Sequence, residues 1–208
     1  MIRVLVADDH AVVRRGIKDI LEDAPGITLV GEAATGQETL AWLRSHRADI
    51  LLLDIALPDI SGMDVLKALN QEPHPPRVII LSMYPEKQYA RRAIQAGAWG
   101  YLTKESAPEE LVQAIQEVAA GRRYITASVA EELIAALTQT DLPPHERLSD
   151  REMEVLRLLA SGKTITQIAE HLYLSPKTVS TYRQRILEKL GLKTTAELIR
   201  YAIEHNLV

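Results

Sequence analysis

Short aliphatic, β-branched runs alternate with longer amphipathic stretches through roughly the first 120 residues. The runs, each bounded by turn residues, predict strands over 2–7, 27–32, 49–54, 77–81 and 99–102. Between them, apolar residues recur every three or four positions over 11–23, 36–46, 61–70, 86–96 and 107–120, the spacing of helices that bury one face. Gly121-Arg122-Arg123 stops the fifth helix, and another helix is expected over 127–137. Thr138 to Pro144 is polar and ends in proline, so it cannot continue that helix. After Leu148 no strand pattern returns, and helices are expected over 150–160, 165–172, 176–190 and 195–204. Ser149 with Glu152 has the spacing of a capping box, and Ser175-Pro176 reads as an N-cap followed by proline at the first helical position.

Five alternating β and α units predict an α/β domain of flavodoxin-like (βα)5 form, with a parallel sheet covered on both faces. A smaller all-α domain of four helices follows it. The expected boundaries are 1–122 for the first domain, 123–146 for a linker carrying one helix, and 147–208 for the second domain.

Charge refines this division. Residues 1–138 hold 14 Lys and Arg against 19 Asp and Glu, a balance of −5, whereas residues 139–208 hold 10 against 9, a balance of +1. Any contact with nucleic acid must therefore be local and C-terminal. The chain has no cysteine, which excludes disulfides, thiolate metal sites and cysteine nucleophiles. No apolar run approaches the roughly 18–20 residues of a membrane span, and Met1-Ile2-Arg3-Val4 opens a strand rather than a signal peptide. A cytoplasmic protein with no membrane partner is expected.

Polar residues fall where the strands end. Asp8 and Asp9 follow the first run, Asp54 the third, Ser82 the fourth and Lys104 the fifth. In an open parallel sheet these positions share one edge, the edge where ligands of such folds sit. Taken singly, each carboxylate reads as a solvated turn residue or a cap; Asp9, for example, is placed to cap the helix that begins near Ala11. Taken together, three carboxylates, a hydroxyl and an ammonium suit a hard divalent cation and a transferred phosphoryl group. His10 reads as a helix-start residue, and the histidines show no metal-ligand spacing.

Val6-Ala7-Asp8-Asp9-His10, Leu52 to Pro58, Ser61-Gly62-Met63, Ile80-Leu81-Ser82 and Gly100 to Lys104 together resemble the receiver domain of two-component response regulators. The resemblance implies that Asp54 is the phosphoacceptor, served by a phosphohistidine on a sensor histidine kinase. It implies that Mg²⁺ is held by Asp8, Asp9, Asp54 and the main-chain carbonyl of Ala56. Lys104 and Ser82 are then the partners of the phosphoryl oxygens, and Ser82 and Tyr101 a switch pair that moves together. On its residue type alone, Tyr101 reads as an amphipathic rim residue.

Thr164 to Leu172, a turn at Tyr173-Leu174-Ser175, and Pro176 to Leu190 have the proportions of a helix-turn-helix. Placing Val179, Tyr182, Ile186 and Leu190 on the buried side leaves Lys177, Ser180, Thr181, Gln184 and Arg185 on or near the other. Leu148 to Leu156, Ile168 to Leu172, Ser175 to Val179 and Lys189 to Leu192 resemble the LuxR-type DNA-binding domain. That resemblance implies a recognition helix from Ser175 to Lys189 in the major groove of double-stranded DNA. Lys177, Thr178, Arg183, Arg185 and Lys189 are expected on phosphates, and Ser180, Thr181 and Gln184 on bases. Leu198, Ile199, Ala202 and Ile203 are expected to form a dimer contact, and a two-fold dimer would read an inverted repeat.

The two domains together resemble the NarL/FixJ class of response regulators, and the run Thr178 to Arg183 is most similar to the GacA/UvrY branch. The implied function is transcriptional control, not enzymic turnover, with phosphorylation of Asp54 governing homodimer formation and DNA binding. Two alternatives stand beside it. One is a DNA-binding regulator indifferent to phosphorylation; the other is an aspartyl-phosphate phosphotransferase, opposed by Ala56 where such enzymes carry a second Asp.

Overall fold

Strand β1 (Ile2–Ala7) lies inside the sheet of the first unit because most of its sequence leaves it no wet face: Val4, Leu5, Val6 and Ala7 are all buried. β3 (Ile50–Asp54) and β4 (Arg77–Ser82) read the same way, as continuous apolar runs do in a sheet covered on both faces. β2 (Ile27–Ala33), half-buried along most of its length, and the short β5 (Gly100–Thr103) form the edges. All pairs are parallel in the order β2-β1-β3-β4-β5. These features belong to a computed structural model that describes residues 1–83, 86–127, 129–131, 143–205 and 207–208, without the side chains of 86–88 and 146.

The strand alternation splits the core in two. Leu5, Leu51, Leu53 and Ile80 face one way and pack with α3 (Gly62–Leu69) and α4 (Glu86–Gln95). Val4, Val6, Leu52 and Leu81 face the other and pack with α1 (Ala11–Glu22) and α5 (Pro108–Ala119). α2 (Gly36–Ser45) starts on a Thr35 cap, and its first two amides are held by Asp59 at 2.8 Å each. Chain order and strand order part company at β1: β2 lies on one side of it and β3 on the other. The register sets Ala7 beside Leu53, so the residues that follow, Asp8 and Asp54, come out at the same level of the sheet edge.

The second unit has no strand among its described residues. It comprises a short 3-10 turn (Pro144–Arg147) and helices α6 (Asp150–Ala160), α7 (Ile165–His171), α8 (Pro176–Leu190) and α9 (Thr195–Glu204). Leu156, Ile168, Val179, Ile186 and Leu198 form its core. The expected capping box of Ser149 and Glu152 is present, and Thr164 with Gln167 and Thr194 with Glu197 form two more. The turn between α7 and α8 passes through Tyr173 at φ 53°, the left-handed region, which costs a residue with a side chain about 1–3 kcal/mol. Arg151 offsets part of that cost by donating to the Leu172 carbonyl at the end of α7.

Strand and helix bounds agree with the sequence reading to within one or two residues. The chain divides into compact units Met1–Ala135 and Ala136–Val208. Residues just after 122, which the sequence assigned to a linker, pack on the first unit: Tyr124 forms a parallel bridge to Gly100, and Val129 is buried in the core. Most of the helix expected over 127–137, and residues 138–142 of the expected linker, lie outside the described residues. Among the described residues no helix is long and apolar enough to cross a membrane.

One expectation needs correcting. Leu198 and Ala202 are fully buried in the core of the helical unit, so neither is available to a second copy. Periodicity put them on the same stripe as Ile199 and Ile203, but α9 has only one covered face, and that face is used by α6. Ile203, 59% exposed, and the half-buried Ile199 are the apolar residues left on the outside. Leu198→Ala is therefore expected to lower the unfolding free energy of the helical unit by about 2–5 kcal/mol in urea titration, whereas Ile203→Ala should stay within about 0.5 kcal/mol.

Candidate functional site

Every polar residue named at the strand ends of the first unit comes out on the carboxyl edge of the sheet. Asp8 and Asp54 are almost wholly buried, at 1% and 3% exposure, and Asp9 is half-buried. The Lys104 ammonium lies between the two buried carboxylates, 2.6 Å from Asp54 Oδ2 and 2.7 Å from Asp8 Oδ2. Its backbone amide also donates to the Ser82 carbonyl at 2.8 Å, which ties the ends of β4 and β5 together. Asp54 Oδ1 accepts the amide of Ala56 at 3.1 Å.

The approach of α3 to this edge depends on Gly62, whose amide donates to the Ile55 carbonyl at 2.9 Å. A Cβ there would lie 2.0 Å from the carbonyl oxygen of Asp54, so no other residue fits without moving the strand end. Arg14, from α1, donates to the Asp8 carbonyl at 2.7 Å and pairs with Glu32. Sequence reasoning missed Arg14; four residues beyond His10 on a helix face, it reads as an ordinary solvated cation.

Burial raises the Asp54 carboxyl above its ordinary range, and Asp8 pushes the same way, against the pull of Lys104. Burial alone would lower the Lys104 ammonium, but Asp54 and Asp8 outweigh it and hold the group above its ordinary value. The pocket thus contains more negative charge than its single buried cation offsets. Ligand atoms of Asp8, Asp9, His10 and Asp54 all lie within 4.8 Å of one another, a spacing that one metal ion can span. Three carboxylates converging within that span, two of them almost wholly buried, make an oxygen-rich donor set that fits a hard divalent cation.

Ser82 is buried at the end of β4. Tyr101 pairs in register with Ile80, two residues before it, and is 3% exposed within the core on the α3 and α4 side. The rim placement suggested by its residue type is therefore overturned.

In the second unit, α8 carries Lys177, Ser180, Thr181, Gln184 and Arg185 exposed on one face, at the spacing of successive turns. Val179, Ile186 and Leu187 are buried opposite, with Tyr182 and Leu190 half-buried. Three of the expected DNA contacts are engaged within the protein instead. Lys189 Nζ lies 2.6 Å from Glu152 Oε2, a buried carboxylate on α6, so its ammonium is committed to packing helix on helix. Arg183 donates to Thr195 Oγ1 at 2.9 Å, fastening α8 to the start of α9. Thr178 is half-buried and bonded to the Ser175 hydroxyl in the cap of α8. The 3.6-residue period located the outer face correctly but could not show which long cations fold back.

The chain matches the response regulator receiver domain family over residues 4–116 and the luxR family of bacterial regulatory proteins over residues 146–202. It is 38% identical to the response regulator UvrY of Escherichia coli, with all of this chain and 96% of the relative aligned. To the response regulator GacA of Pseudomonas aeruginosa it is 39% identical, over all of this chain and 98% of the relative. Among solved structures, RcsB from Salmonella enterica serovar Typhimurium, bound to promoter rprA in the presence of phosphomimetic BeF3-, matches at 28% identity and a TM-score of 0.64, covering 97% of this chain and 98% of that one. UvrY and GacA are response regulators and RcsB is bound to a promoter in its structure, and family membership of this kind gives the phosphotransferase alternative no support. Matched over both segments and aligned from end to end with whole regulators, the chain belongs to the response regulators that join a receiver domain to a LuxR-type helix-turn-helix, and is a transcription factor of the UvrY and GacA kind.

Proposed function

We propose that Asp54 accepts a phosphoryl group from a sensor histidine kinase and that this modification promotes homodimer formation and sequence-specific binding to an inverted repeat, in the cytoplasm. The observation that carries the reading is the Asp54 carboxylate, buried at the sheet edge with the Lys104 ammonium 2.6 Å away and two further carboxylates alongside. One Asp54 oxygen attacks the phosphorus of the kinase phosphohistidine. A P–O bond forms as the P–N bond breaks, and the departing nitrogen keeps the electron pair and takes a proton from solvent. Lys104, already aimed at Asp54, neutralises charge on the incoming oxygens, and the Ser82 hydroxyl donates to another. Mg²⁺, held by Asp8, Asp9, Asp54 and the Ala56 carbonyl, supplies further neutralising charge when bound. Tyr101, on the same face as Ser82, follows its movement and passes the change to the α4 side of the unit.

On α8, Lys177 and Arg185 position the helix on phosphates, while Ser180, Thr181 and Gln184 face the bases. Ile199 and Ile203 remain the proposed apolar residues of the dimer contact. The RcsB neighbour bound to promoter DNA supports a DNA partner for this chain.

The test is DNA affinity, on sequences selected from a random pool at fixed salt, for the untreated protein, the protein with Mg²⁺ and acetyl phosphate, and Asp54→Ala under both conditions. Treatment should tighten binding about 5- to 150-fold in the wild type alone. Equal affinity in every case would point to regulation independent of phosphorylation, and no binding in any would overturn the reading.

Two more outcomes separate the roles of individual charges. Lys177→Ala should weaken binding to all DNA sequences alike and reduce the slope of log affinity against log salt by about 1. Lys189→Ala should instead lower the unfolding free energy of the helical unit by about 1–2 kcal/mol, because the buried Glu152 keeps its Ser149 amide but loses its cationic partner.

The folded-state pKa of Asp54 lies above its unfolded value, so ionising this group opposes folding. Stability falls as pH rises from the ordinary carboxylate range through the raised pKa. Asp54→Asn should accordingly melt higher than the wild type at pH 7, with the difference shrinking as the pH is lowered toward about 4.

A further inference from the structure

The side chain of His10 is turned back toward the acidic pocket although its ring, 61% exposed, has room to point elsewhere. It gives no side-chain hydrogen bond to cap α1, which a residue in its place commonly does. Nδ1 sits 2.6 Å from Asp9 Oδ1 and 3.2 Å from Asp8 Oδ1, in ion-pair and hydrogen-bond contact with both, and the three residues belong to the group whose ligand atoms lie within 4.8 Å of one another with Asp54. An ordinary ion pair would need only one carboxylate; here the imidazole nitrogen is in reach of both. Adjacent ligands of a six-coordinate ion with bonds of about 2.1 Å are about 3.0 Å apart, and the two measured separations bracket that edge.

We propose that His10 donates Nδ1 to the cation held by Asp8 and Asp9, so that the pocket takes imidazole-favouring divalent ions of the Zn²⁺, Ni²⁺ and Co²⁺ class more tightly than Mg²⁺. The inference rests on the reading of the pocket as a cation site. Mg²⁺ is satisfied by carboxylates and water and gains little from an imidazole, whereas the later first-row ions bind nitrogen strongly and rise in affinity along the Irving–Williams order. Two carboxylates and one imidazole on consecutive residues form a mixed O,O,N donor set of the kind those ions accept. The backbone supports this placement: the His10 amide donates to Asp8 Oδ1 at 2.8 Å, and Arg14 anchors the Asp8 carbonyl. These contacts tie residues 8–10 and the start of α1 together.

The experiment uses the full-length protein with Co²⁺, Zn²⁺ and Mg²⁺ as separate probes. Calorimetric titration gives each affinity for the wild type, His10→Ala and Asp9→Asn at one pH, and proton NMR of the Co²⁺-loaded protein reports a ligated imidazole as a strongly shifted, solvent-exchangeable N–H resonance. Expected are a Zn²⁺ and Co²⁺ affinity at least about tenfold above that for Mg²⁺, the shifted resonance in the wild type, and its loss in His10→Ala. His10→Ala should also cost at least about tenfold in Zn²⁺ affinity while leaving Mg²⁺ within about twofold. Unchanged Zn²⁺ affinity in His10→Ala, with no shifted resonance in the wild type, would overturn the role of His10 and leave the cation site standing. Failure of all three ions to bind the wild type, or binding that survives Asp9→Asn undiminished, would overturn both the inference and the cation-site reading beneath it.

Discussion

The buried ammonium of Lys104, shared between Asp8 and Asp54, is the interaction on which the first unit is organised. Two carboxylates removed from water at the end of adjacent strands repel one another, and a single cation between them reduces the repulsion without abolishing it. The residual excess of negative charge makes the edge receptive to further positive charge. The sheet order makes the arrangement possible: β1, β3 and the end of β5 deliver the three groups from separate parts of the chain, and register sets the two carboxylates level, with Lys104 two residues beyond that level. The buried strands need no polar partners of their own until they end, so the polar residues concentrate there.

The helical unit uses its charges differently. α8 has cations along much of its length, yet Lys189 and Arg183 are bound to α6 and α9, leaving Lys177 and Arg185 on the outer face. Packing and recognition are thus divided among residues of the same chemical type on one helix. The buried carboxylate of Glu152 does double duty, closing the cap of α6 and receiving Lys189. Burial would raise its pKa, but Lys189 and the Ser149 amide and hydroxyl hold it below the ordinary range.

Much of the fold was legible because its signals are local. Alternating apolar runs gave all five strands, and capping residues such as Ser149 and Ser175 marked where helices begin. The strand-end residues were legible too, since parallel topology brings carboxyl ends together whatever lies between. What escaped was decided by tertiary contact. Leu198 and Ala202 share a helical stripe with Ile199 and Ile203, and only the position of α6 determines which pair is covered. Nothing in the type or spacing of Lys189 reveals that a carboxylate 37 residues earlier lies within its reach. Tyr124 bridges to Gly100 of β5 and packs against the core with no apolar run to announce it.

The fit of Gly62 against the Asp54 carbonyl has a consequence at the level of the gene. Any codon change that replaces this glycine adds a side-chain carbon to a space already filled by main chain, and main chain, unlike the tip of a flexible residue, has nowhere to retreat. Conservative and radical replacements are therefore nearly equivalent there, because the first added atom does the damage. Drift in this gene has a forbidden position eight residues downstream of Asp54, in a residue with no side-chain chemistry of its own.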